Sequence, residues 1–226
     1  MQKITENIYY VGVNGRNKSL FVAMKGGTNG ESHNHNDVGE FVVYTDGEPL
    51  LIDPGVGEYT SKTFSNDRYS IWTMQSGYHN LPQINGHDQK DGKQYRACIV
   101  SQQKDRLTLD IAGAYPKEAA VSSWQRTVNL KKKLVSITEQ YTLTERKAPT
   151  HLMLMTTVKP TITKAGTVSM GRHTLSYDPA QLTAAIEDVS PLLDPLLTGM
   201  WGAQMYRIVL TVTSEKLTNK IQYQVQ

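Results

Sequence analysis

The sequence predicts an all-β fold: a multi-stranded antiparallel β-sandwich, supersandwich-like, with few or no helices. Three observations predict it. Turn dipeptides recur along the chain as Asn14-Gly15, Asn29-Gly30, Asp46-Gly47, Asn85-Gly86 and Asp91-Gly92, pairs that tolerate the positive φ of tight β turns. Short runs rich in β-branched and aromatic residues lie between them. Windows with a helical apolar period are almost missing.

In chain order, the strand candidates are "IYYVGV", "LFVAMK", "EFVVYT", "PLLID" and "YRACIV", then "RLTLDIAGAY", "SWQRTVNL", "LVSITEQYTL" and "HLMLMTTV". In "LVSITEQYTL", Val135, Ile137 and Tyr141 alternate with polar residues, as in a half-buried strand. "TLSY", "TAAIEDV" and "YRIVLTVTS" close the chain. The window 178–189 reads equally as a short helix or a strand, and 63–77 as a loop with one turn of helix. "SPLLDPLL" (190–197) is a connection, and the strands after Gly166 read as a smaller sub-sheet. The chain therefore reads as one β-sandwich domain over 1–226, with a smaller β subdomain from about 166.

The totals narrow the function. A chain of 226 residues buries a sizeable core. Apolar residues make up 38% and charged residues 20%, and mean hydropathy is −0.44. A net charge of +3 is too small to argue for a nucleic-acid partner, and "KKK" at 131–133 reads as a solvated turn. No apolar run approaches the roughly 18 residues of a membrane span. Cys98 is the only cysteine, which rules out an intrachain disulfide; its place in "YRACIV" suggests a buried strand residue. Met1 is followed directly by "QKITENIYYVGV", with no signal peptide, and reads as a domain starting in mid-protein.

The chemistry centres on "ESHNHNDVGEF" (31–41). If 32–37 are extended, His33 and His35 share a face about 7 Å apart and can address one site. The alternative is a pair of exposed turn histidines. Asp53 ends "PLLID" before Pro54-Gly55, where a carboxylate often only caps the turn. His79, in "SGYHNLPQING", also reads as a loop histidine. Together His35, Asp53 and His79 offer two imidazoles and a carboxylate, a set that zinc accepts with water or another group in a fourth position. They lie 18 (53 − 35) and 26 (79 − 53) residues apart, about one hairpin per step.

The segment from "GGTNGESHNHNDVGEF" to "SGYHNLPQING", about 60 residues, resembles the C-terminal β-sandwich domain of the heparinase II/III-like polysaccharide lyases. The order of features is HxHxD, an apolar strand ending in Asp, a Tyr, an Arg-containing loop, His-Asn and "NG"; "WGAQMYRIVL" (201–210) resembles the family's closing strand. The resemblance implies that His35, Asp53 and His79 are zinc ligands, the metal being mainly structural. It implies that His33 points into a catalytic cleft bordered by Tyr59, Arg68 and Tyr69. Asn34, Asn36 and Asp37 then read as groups that orient the imidazoles.

The resemblance further implies β-elimination on acidic, uronic-acid polysaccharides. A uronate carboxylate is neutralised, a His or Tyr takes the C5 proton and an acid protonates the leaving O4. Arg68 reads either as a bidentate carboxylate binder or as a loop charge. Tyr69 reads as core more readily than cleft, and of Trp72, Trp124 and Trp201 only Trp72 is a candidate to stack on a sugar. The family's N-terminal α-helical toroid, which supplies further reacting groups, is not in this chain, so the chain alone is expected to be inactive. A bacterial periplasmic or secreted location also follows from the resemblance. Two alternatives compete: a non-catalytic carbohydrate-binding sandwich with a structural metal, and a metallo-β-lactamase. The latter needs a His where Val38 stands and alternating helices that are missing.

Overall fold

The structure, a computed structural model, describes residues 8–12, 20–131 and 133–226. The Asn14-Gly15 turn lies outside them. The first strands are β1 (Ile8–Gly12), β2 (Leu20–Lys25), β3 (Thr28–Asn29), β4 (Phe41–Thr45), β5 (Glu48–Leu51) and β6 (Pro82–Gln83). Next come β7 (Gly92–Arg96), β8 (Cys98–Gln103), β9 (Arg106–Asp110), β10 (Val121–Lys131), β11 (Leu134–Leu143) and β12 (His151–Thr156). The last are β13 (Pro160–Lys164), β14 (Thr167–Met170), β15 (His173–Tyr177), β16 (Leu182–Asp188), β17 (Tyr206–Val212) and β18 (Thr218–Val225). One α-helix among the described residues, α1, spans Pro195–Trp201.

The main layer is an antiparallel sheet of order β13-β14-β15-β18-β11-β10-β9-β8. Two four-stranded sheets, β1-β2-β4-β5 and β16-β17-β12-β6, supply the other layer, and β3 pairs with β7. The two adjoin where Ile52 N–H donates to the Met155 carbonyl. One core cluster, from Leu20 and Phe41 to Ile221 and Val225, takes in residues of all three large sheets. Alternation builds it: in β10 residues 124, 126, 128 and 130 are buried while their neighbours face outward. The turns Asp46-Gly47 and Asn85-Gly86 are left-handed at both residues, as type I′ turns require.

The structure corrects several expectations. The strands after Gly166 form no sheet of their own: β14, β15 and β18 extend the main sheet, and β16 and β17 pair through to β12. The window 178–189 holds a strand, β16. The last strand is β18, whose Ile221, Tyr223 and Val225 are buried in alternation. Helix α1 replaces the expected plain connection; Asp194 caps it through Leu197 N–H and Pro195 opens it. Residues 63–77 fall into successive single 3₁₀ turns rather than one helical turn. Cys98 lies on a strand but is exposed, β8 being the outermost described strand of its sheet.

A buried polar group lies between the layers. Glu139 accepts from Arg126 Nε (2.8 Å), Trp124 Nε1 (2.7 Å) and Tyr223 hydroxyl (3.1 Å). Arg126 Nη2 is 2.7 Å from the same carboxylate, and both side chains are sealed from water. Trp124 stacks on Tyr141 at 4.6 Å, and the guanidinium covers the Phe41 ring. Removing one partner of such a pair strands the other charge. Glu139→Ala is expected to cost about 3–5 kcal/mol, read as a lowered midpoint in urea unfolding with an unchanged slope.

Candidate metal centre

Three irregular segments deliver the expected ligands. His35 lies on the loop between β3 and β4, Asp53 two residues beyond β5, and His79 at the end of the 3₁₀ turns. One ligand atom from each lies within 4.8 Å of the others. The imidazoles of His35 and His79 are 5.4 Å apart between centroids. His79 is fully buried, and Asp53 is 34% exposed, so the group opens to solvent on the carboxylate side.

The hydrogen bonds of His79 define its ligand atom. Its Nε2 lies 3.0 Å from the Thr73 carbonyl, which only accepts; Nε2 must therefore carry the proton. Nδ1 is buried and without a hydrogen-bond partner, 3.6 Å from Asp53 Oδ1, and in the neutral ring it carries the lone pair. Two acceptor atoms facing each other at that range call for a cation or a proton between them. Ligand atoms on a tetrahedral zinc with bonds of about 2.1 Å are about 3.4 Å apart, which this pair matches closely. Burial, then the neighbouring His79, push the His35 imidazole down to about 4, against the pull of Asp53. His35 is thus neutral near pH 7, the form that ligates. Burial opposes the charge of Asp53, while a proton on a neighbouring imidazole, His79 foremost and then His35, holds the carboxyl below its usual range. Asp53 Oδ1 also accepts from Gly55 N–H at 2.8 Å, so the turn-capping reading and the site reading hold together.

His33 is placed differently from the extended-strand expectation. Its φ is +58°, it lies in a turn and it is exposed, whereas His35 turns inward. A left-handed residue breaks the alternation that would have put both rings on one face. Asn34, Asn36 and Asp37 do not orient the imidazoles either. Asn34 Nδ2 donates to the carbonyls of Asn29 and His35, Asn36 Nδ2 to that of Gln89, and Asp37 pairs with Lys25. These side chains shape the loop, and the Thr73 carbonyl orients the His79 imidazole.

Arg68 and Tyr69 clamp the same loop. Arg68 donates through Nε and Nη2 to the Asn34 carbonyl (3.3 and 3.0 Å) and through Nη1 to that of Thr63 (2.9 Å). Tyr69 hydroxyl donates to Asn34 Oδ1 at 2.8 Å. Tyr59 is 52% exposed and stacks on Phe64 at 5.6 Å. Trp72 meets Tyr78 edge-on and donates to the Leu192 carbonyl; Trp201 donates to that of Pro54.

Sequence reasoning missed Asn29 and Gln89. Asn29 Oδ1 accepts from Asp37 N–H. Gln89 exchanges hydrogen bonds with the Val38 backbone and accepts from Asn29 Nδ2. Neither had a local signal, because their partners lie about 8 and 51 residues away in the chain.

The model of the Heparinase II/III-like, C-terminal family matches residues 9–187. The chain belongs to that family. Among solved structures, it is similar to heparan sulfate lyase HepC from Pedobacter heparinus, with 17% identity and a TM-score of 0.71 over 92% of this chain and 33% of that one. The Heparinase III-BT4657 gene product aligns with 12% identity and a TM-score of 0.68, over 96% of this chain and 33% of that one. Heparinase III aligns with 13% identity and a TM-score of 0.63, over 91% and 33%. The chain thus spans about a third of the length of these structures. No curated protein sequence matches it significantly. No helix of the described residues is long and apolar enough to cross a membrane.

Arg68→Ala deletes three charge-assisted hydrogen bonds to carbonyls, each worth about 1.5–3 kcal/mol. Amide exchange across residues 60–70 is expected to quicken at least about tenfold while β10 and β11 keep their protection. Unchanged exchange in the loop would show that the clamp carries no weight.

Proposed function

We propose that this chain is the β-sandwich part of a polysaccharide lyase that cleaves uronic-acid glycans by β-elimination, with one zinc ion held by His35, Asp53 and His79. The convergence of these three side chains from separate segments, in a chain of this family, carries the reading. The bare Nδ1 of His79 facing Asp53 fits a zinc donor set. When bound, zinc would supply mainly cross-linking of the three loops, with water or another group in the fourth position.

The chain's own residues then form one wall of a cleft. His33, exposed and two residues from His35, takes a share of proton abstraction or carboxylate positioning. Tyr59 presents an exposed ring and hydroxyl. Arg68, which holds the carbonyls of Asn34 and Thr63, offers its guanidinium to a uronate carboxylate, while Tyr69 fixes Asn34. The partners in this reading are an acidic polysaccharide and an N-terminal helical domain that supplies the opposite wall; the setting is a bacterial periplasm or the exterior. The commitment of Arg68 and Tyr69 to loop structure favours one second reading, a carbohydrate-binding sandwich with a structural metal.

Protein purified without chelator is expected to hold about one zinc per chain by elemental analysis. His35→Ala should lose the metal and stability together, because an absent ligand unties three segments. His33→Ala should keep the metal and melt near wild type. Equal zinc loss in both variants would overturn this division of labour.

Eliminase activity of these 226 residues alone is expected to be near zero on heparin, heparan sulfate, hyaluronan, chondroitin and alginate. Each missing acid–base group of the opposite wall removes roughly 10² to 10⁴ in rate. The readout is ultraviolet absorbance of the unsaturated uronate. Co-expression with an upstream helical region should restore turnover in a lyase and leave a binding module silent.

A further inference from the structure

All three ligands sit on irregular backbone, so no strand ladder fixes their spacing. Asn80, next to His79, is fully buried and touches each ligand-bearing segment. Its Nδ2 donates to the Ile52 carbonyl (3.0 Å), immediately before Asp53. The same nitrogen lies 2.7 Å from the Phe41 carbonyl oxygen and 2.9 Å from Glu40 Oε1, so its two hydrogens are shared among three acceptors. Its backbone N–H donates to Glu40 Oε2, so Glu40 grips residue 80 with both oxygens. Glu40 and Phe41 end the turn that follows His35, closed by Glu40 N–H to the Asp37 carbonyl. Asn80 Oδ1 accepts from Met155 N–H (2.7 Å). Behind it, Arg126 Nη1 donates to the carbonyls of both Asn80 and Gly39.

We propose that Asn80 is a positioning residue for the metal centre, its amide and peptide setting the spacing of the segments that carry His35, Asp53 and His79. The proposal rests on the zinc reading above. Asn80 reaches no imidazole. It acts through backbone: a carboxamide offers donors and an acceptor on one short arm, and here they meet a carbonyl or carboxylate of the first two ligand segments and an amide of β12. Only Asn has this inventory at this length; Asp lacks the donors and Leu lacks both. An apolar residue here would leave those buried groups unpaired and the three segments free to settle at other spacings.

The test uses the whole chain with zinc and with cobalt as a spectroscopic probe. In Asn80→Ala, zinc affinity by chelator competition is expected to fall about 10- to 100-fold, and the visible bands of bound cobalt should shift or weaken as the ligand geometry relaxes. Leu210→Ala, in the core on β17, serves as the control: it should lower the melting temperature and leave affinity and cobalt bands as in wild type. If Asn80→Ala does not fold, Asn80→Asp, which keeps the shape and the acceptor for Met155, is judged by the same two measurements. A folded variant with wild-type affinity and superimposable cobalt bands would overturn the proposal alone. Wild-type protein that binds neither metal would overturn the zinc reading and this proposal with it.

Discussion

A guanidinium with no route to water organises this molecule. Arg126 projects from β10 into the space between the layers and meets a carboxylate on the next strand and two carbonyls from loops of the facing layer. A buried charge tolerates no loosening, since any separation exposes it to a medium that cannot solvate it. The main sheet and the loops at residues 39 and 80 therefore hold together as one unit. Trp124, Tyr141 and Tyr223 close the group to solvent on the sheet side.

Above that layer the chain gives up ladders for side-chain amides. The side chains of Asn29, Asn34, Asn80 and Gln89 satisfy backbone groups along 29–41, at Asn29, His35, Asp37, Val38 and Phe41. Buried backbone polar groups need partners, and a loop without strand neighbours must find them in side chains. The richness in Asn and Gln is thus the cost of an irregular path that leads two histidines and an aspartate to one point. The outcome joins a stiff interior face to a face that solvent reaches at Asp53 and His33.

The architecture was largely legible. Turn dipeptides and period-two alternation located β2, β4, β11 and β12 almost residue for residue, because both signals are local. Helix α1 was legible in principle from Asp194-Pro195, but two prolines made the window look like a connection. β18 carried the alternation of Ile221, Tyr223 and Val225 and was overlooked. Sheet membership was not legible: nothing near Thr167 says that β14 joins β15 and, through it, β18. At the site, spacing and residue type brought forward His35, Asp53 and His79. The inward turn of His35 against the outward turn of His33 depends on a left-handed backbone at His33, which a non-glycine residue does not announce. Asn80 was visible only as part of a His-Asn pair; its role depends on partners 28 to 75 residues away.

The outer margin of the main sheet has a consequence for how the protein behaves in concentrated solution. Among the described residues no strand pairs with the outer side of β8, and Cys98, Ile99 and Val100 are exposed there. An apolar open edge is a template on which another chain adds its own strand. The register shift between Ile99 and Ser101 kinks that margin and spoils the flat run of hydrogen-bonding groups an incoming strand would need. Colloidal behaviour at this edge thus hangs on a one-residue irregularity: a deletion that straightened β8 would leave core and site contacts in place and give the protein a seam along which copies stack.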